Sequence, residues 1–193
     1  MNYVVLAVLF ILSGFFMKYS DDLYDEKHDL VFSTFFGILC AIASVAATVY
    51  NTGAAYIFIS ILIGNLIALK VDGIHHIITL IVFLAVLLVV GIPDLSLVIL
   101  LICILTILAD EVCHEIIPKK TENGFLNLFF EYRFLMKIVV LLLAVCGVFD
   151  IWVFVCFILF DLSYAGAGIV FEKFNDLKEG DMIESYKMVE VPR

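Results

Sequence analysis

Long apolar runs separated by short polar breaks recur along this chain, and they restrict its fold more than any other feature. Seven can be marked: Asn2–Met17, Leu30–Tyr50, Gly53–Leu69, Ile74–Val90, Leu95–Ala109, Phe134–Phe149 and Ile151–Val170. With 64% hydrophobic residues and a mean hydropathy of +1.16, the chain lies well outside the range of soluble globular proteins. The expectation is an integral membrane protein, an all-α polytopic bundle of about seven transmembrane helices over residues 1–170, followed by a cytoplasmic tail over 171–193. The first run lacks a basic leader and a small-residue cleavage site and is read as a retained span. Several runs are shorter than the roughly 20 residues that cross a bilayer, so helices are expected to continue beyond the hydrocarbon where the charges lie.

The breaks alternate in kind. "NTG", "GIPD" and "GVFD" are short and carry no basic residue, whereas all 11 Lys and Arg fall in the other set of breaks and in the tail. The positive-inside bias makes that side cytoplasmic, with the N-terminus outside and the C-terminus inside. Most of the 20 acidic residues lie there too; Asp94 and Asp150 sit opposite, and Asp161 falls within the last span. A formal net charge of −9 argues against nucleic acid and against a polybasic grip on anionic lipid. Five cysteines without CxxC spacing read as small packing residues.

Three polar clusters carry the candidate chemistry. After the first run comes "DDLYDEKHD", in which Asp22, Asp25 and Asp29 share one face if the helix continues, flanked by Asp21 and His28. Like charges at that spacing repel. The stripe is therefore either a site for a hard divalent cation such as Mg²⁺ or a solvated loop. After the fifth run, "LADEVCHEIIPKKTENG" pairs Asp110 with His114 and Glu111 with Glu115 at one-turn spacing before Pro118. These pairs are metal-ligand candidates or a polar helix end. The third cluster, "ALKVDGIHH", holds Lys70, Asp72, His75 and His76. It reads as a tight turn opening the fourth helix, or as a place where Lys70 meets a phosphate. Asn65 and Asp161 lie within spans, where a polar group points to function or a buried partner, with Arg133 and Lys137 as partner candidates for Asp161. Acidic clusters at the ends of spans one and five fit a four-helix unit used twice.

The motif "DDLYDEKHD" resembles the N/D-D-x-x-D-x-x-x-D signature of UbiA-type membrane prenyltransferases. Asp22, Asp25 and Asp29 take the three acidic positions, and Asp21 stands where Asn is usual. In that family the motif ends the second transmembrane helix and a second acidic motif ends the sixth; here the clusters end spans one and five, as though the first helix were missing. The resemblance runs to about Val170. Asp110 aligns with the second motif, while its later acidic positions are replaced by His114 and Glu115, with "KKT" following.

The resemblance implies an Mg²⁺-dependent enzyme that transfers a prenyl group from a prenyl diphosphate to a lipophilic acceptor in the membrane. Asp22, Asp25 and Asp110 would carry the catalytic metal. Asp21, Asp29, Glu111, His114 and Glu115 would complete the ligand set. Lys18, Lys70, Lys119 and Lys120 would neutralise the diphosphate, and aromatic faces would steady an allylic cation. Two other classes compete. A divalent-cation transporter or channel would use the same acidic face and the four histidines, with Asn65 and Asp161 marking its path. A membrane scaffold would dock through the tail "EKFNDLKEGDMIESYKMVEVPR".

Overall fold

The computed structural model describes residues 2–71, 73–116, 129 and 133–189, with side chains at 2–71, 73–114, 129 and 133–174. Among these the chain is entirely helical: α1 (Tyr3–Asp25), α2 (Leu30–Tyr50), α3 (Thr52–Ile67), α4 (Ile74–Val90), α5 (Leu97–Ile116), α6 (Phe134–Val145) and α7 (Ile151–Val189). Each apolar run of the sequence becomes one helix, because only a helix satisfies its own backbone N–H and C=O groups without water. Four helices, α1, α2, α5 and α7, are long and apolar enough to cross a membrane; α3, α4 and α6 are apolar but shorter. At 12 residues, α6 is only about 18 Å long. The last helix does not stop at Val170 and continues to Val189, into the segment that the sequence sets apart as a tail.

Polar side chains open α1, α3 and α7. Asn2 accepts from Val4 N–H at 3.0 Å, Asn51 from Ala54 N–H at 2.9 Å, and Asp150 from Trp152 N–H at 3.0 Å. These caps occupy amide donors that a helix start leaves free. At the α6–α7 corner Tyr3 also donates its hydroxyl to Asp150 and stacks on Trp152 at 5.6 Å. The Tyr3 hydroxyl first, and the Trp152 amide second, hold the Asp150 carboxyl below its ordinary pKa. Aromatic groups of this kind suit a membrane interface, where one end of the ring is apolar and the other wet.

α1 packs on α2 and α7, α2 also on α3 and α4, α3 on α5, α5 on α6, and α6 on α7. Six helices thus close a ring, with α4 set against α2. The core holds Leu6, Phe10, Val45, Ile57, Phe58, Val140 and Val153. Large apolar side chains also cover the outside; Val89 is 87% exposed. Such a surface would aggregate in water and is matched by lipid.

The α1–α7 contact is close enough to require glycine. A Cβ on Gly14 would lie 2.3 Å from the carbonyl oxygen of Phe160, and one turn further along α7 Ser163 donates to the Ile11 carbonyl at 2.6 Å. Small residues permit backbones to approach where no hydrophobic force drives helices together. Gly166, by contrast, has open space where its Cβ would be. Gly14→Ala is expected to lower stability by about 1–3 kcal/mol, whereas Gly166→Ala is expected to be neutral or stabilising by up to about 1 kcal/mol. Thermal unfolding of the two variants in one detergent checks this contrast.

Candidate functional site

A cavity of about 350 Å³ draws its walls from all seven helices. Its volume is within the range of small-molecule sites. One end is polar. Asp21 comes from the last turn of α1, Asn65 from the end of α3, and Lys70 from the α3–α4 link; His76 is at the start of α4, and Asp110 and Glu111 are near the end of α5. Arg133, Lys137, Asp161 and Tyr164 add to this end from α6 and α7. Towards the other end of the helices the walls turn apolar, with Phe58, Phe83, Ile107 and Phe157. The acidic segments after spans one and five therefore do meet at one cavity, but not through the residues that their spacing suggests.

Asp22 is buried beside Lys18, whose ammonium is 2.7 Å from its carboxylate, and it faces Gly168 of α7 rather than the cavity. Asp25 is exposed. Asp29 does not continue the α1 stripe: α1 ends at Asp25, His28 takes a left-handed backbone conformation (φ 52), and Asp29 caps α2 by accepting from Val31 and Phe32 at 3.1 Å. The expected face of Asp22, Asp25 and Asp29 is thus divided among an ion pair, solvent and a helix cap. Asp21, one position earlier, is the member of this motif that lines the cavity.

Asp110 lines the cavity, yet both of its oxygens are used. They accept from Leu135 N–H at 3.1 Å and Met136 N–H at 2.8 Å. These are the opening amides of α6, which has no local side-chain cap because its N-cap residue, Arg133, carries donors and no acceptor. The carboxylate of one helix thus closes the N-terminus of another, where its charge also complements the helix dipole. Glu111 pairs with Arg133, with Oε1 2.8 Å from Nε and Oε2 3.3 Å from Nη2. Lys137 lies 3.0 Å from Asp161, as the partner reading of an intramembrane acid expects.

Lys70 and Asn65 reach the cavity, while Lys18 serves Asp22. His114 is half-buried near the end of α5 and is not among the cavity-lining residues. Asp72, Lys119 and Lys120 and the side chain of Glu115 lie outside the described residues. An all-oxygen Mg²⁺ environment is therefore not assembled from Asp22, Asp25 and Asp110. The first is paired with an ammonium, the second faces outward, and the third is committed to backbone amides.

What the sequence pattern undervalued is the α4 start. His75 and His76 in "DGIHH" open a helix and look like turn polarity, yet they sit against Asp21, with their Nε2 atoms 3.8 and 3.7 Å from Asp21 Oδ1. Two adjacent histidines beside a break that also holds Lys70 were the available signal. Tyr164 was readable from its spacing, three residues after Asp161 on the same helix face. No protein-family model, no curated protein and no solved structure matches the chain.

Proposed function

We propose that this chain binds a prenyl diphosphate in its central cavity and transfers the prenyl group to a lipophilic acceptor, as a shortened relative of the UbiA-type prenyltransferases it resembles. The observation that carries this reading is the cavity's division into a polar end and an aromatic interior. Such a division suits an amphiphile with an anionic headgroup and a hydrocarbon tail. In this reading all seven helices belong to the membrane bundle, the polar end faces the cytoplasm, and the two acidic helix ends are the remnants of a repeated unit.

Lys70, Arg133 and Lys137 would receive the headgroup, Arg133 and Lys137 by exchanging Glu111 and Asp161 for diphosphate oxygens. Cleavage of the C–O bond would leave an allylic cation beside Tyr164 and Phe160, whose ring faces favour positive charge. Attack by the acceptor's nucleophilic atom, with loss of its proton, would complete transfer. The tail would occupy the space among Phe58, Phe83 and Phe157, excluding water from the cation.

Ligand binding to the native state raises its melting temperature. A nonhydrolysable prenyl diphosphate with Mg²⁺ is expected to stabilise the purified protein, by about 2.7 kcal/mol at a hundred times its Kd. The corresponding prenyl alcohol is expected to do much less, and the combined change Lys70→Gln with Arg133→Gln should erase the response. The reading is overturned if the unaltered protein shows no shift, or if the double variant shifts as much. Divalent-cation transport is the second reading, favoured by the grouping of Asp21, His75 and His76. Metal flux into liposomes containing the protein, lost in Asp21→Asn, would establish it instead.

A further inference from the structure

His75 is the most deeply enclosed titratable side chain at the polar end of the bundle, 1% exposed. Neither of its ring nitrogens has a hydrogen-bond partner among the described residues. A buried polar group in that state is costly and rare in native structures, and calls for an explanation. The ring is nonetheless held firmly. Tyr24 lies against it with centroids 4.2 Å apart. Gly73 sits so close that a Cβ there would be 2.4 Å from Cε1 and 2.5 Å from Nδ1. His76 packs beside it at 3.9 Å. These neighbours leave Nε2 directed to Asp21.

The separations are those of a gap and not of a bond. Asp21 Oδ1 is 3.8 Å from Nε2 of His75 and 3.7 Å from Nε2 of His76, beyond hydrogen-bond range. Around a tetrahedral ion with ligand distances of about 2.0–2.2 Å, donor atoms sit about 3.3–3.6 Å from one another. The two carboxylate–imidazole separations thus need to close by only a few tenths of an ångström, and a ligand atom from each of the three side chains lies within 4.8 Å of the others. They come from the last turn of α1 and the first turn of α4, so the chain positions them through two rigid elements.

We infer that Asp21, His75 and His76 form a binding site for a borderline divalent cation of the Zn²⁺ or Co²⁺ type. Two imidazoles and one carboxylate are a donor set that such ions favour, whereas Mg²⁺ favours oxygen alone. The site has three protein ligands. Because Asp21 and His76 line the cavity, its fourth position opens there, the arrangement of a metal that meets a ligand and not of a closed structural centre. The inference stands apart from prenyl transfer, since it rests on the ligand set alone.

The test uses full-length protein in detergent, stripped with chelator and titrated with Co²⁺ alone, with no lipid present. One equivalent per chain is expected, with visible absorption bands of a low-symmetry four-coordinate ion, and Zn²⁺ should displace it while millimolar Mg²⁺ should not. His76→Ala and Asp21→Asn should each weaken binding at least about tenfold, as even the supporting residues of metal sites do. His28→Ala, an exposed histidine at the same end, should leave it unchanged. His75→Ala should also lose binding, and because it removes a packed ring its folding is checked by thermal unfolding. The half-buried His76 supplies the variant that keeps the fold. The inference is overturned if the unaltered protein shows no saturable Co²⁺ binding, if binding persists unchanged in His76→Ala and Asp21→Asn, or if Mg²⁺ competes at equal concentration.

Discussion

Asp110→Ala is expected to destabilise the protein by about 2–4 kcal/mol, the sum of losing a helix cap and leaving buried amide donors unsatisfied. The carboxylate accepts from both Leu135 and Met136, and α6 has no local side chain to take its place. Unfolding in detergent should show a fall in melting temperature of roughly 5–15 °C for a chain of this size. Asp110→Asn keeps one acceptor oxygen and should lose about half as much. The direction is informative. If Asp110 were held only for a metal, removing its charge from an acidic cluster would leave stability unchanged or raised, and a melting temperature at or above that of the unaltered protein would refute the capping role.

Asp161→Ala is the second large effect. It strips a carboxylate from a position 3.0 Å from the ammonium of Lys137, whose side chain is only 9% exposed. Breaking a buried pair by removing one partner costs about 3–5 kcal/mol. Asp161 is 41% exposed, so solvent in the cavity screens part of the interaction and about 2–3 kcal/mol is expected. Lys137→Met should cost clearly less, because the acid it leaves behind can be hydrated. Lys137→Met in the Asp161→Ala background should recover most of the loss, which a double-mutant cycle measures as a coupling of at least about 1 kcal/mol. Additive single effects would show that the two groups do not act as a pair.

Much of the secondary structure was readable because each apolar run is bounded by residues that end or begin helices for local reasons. Asn51 at "NTG" caps α3, and Gly91 and Gly147 take positive φ just past α4 and α6. The candidate site was readable only in outline. That polar chemistry gathers at the ends of α1 and α5 followed from charge placement, and a basic partner for Asp161, either Arg133 or Lys137, followed from the cost of an acid inside a span; that it is Lys137 did not. Which member of each cluster faces inward did not follow. Asp21 and Asp22 are neighbours about 100° apart on the helix, and one lines the cavity while the other pairs with Lys18 beside α7.

Composition dictates a chain of apolar helices, because their side chains suit lipid and their backbone has no other way to satisfy its polar groups there. The rotation of each helix about its axis emerges only from packing. In a soluble protein the polar stripe announces the outward face. Here lipid-facing and core-facing residues are alike apolar, and Val89 outside reads like Val153 inside. Close approaches such as Gly14 against Phe160 set the rotation instead. In the packed bundle Asp21 faces His75 and His76, and Asp110 meets the N-terminus of α6.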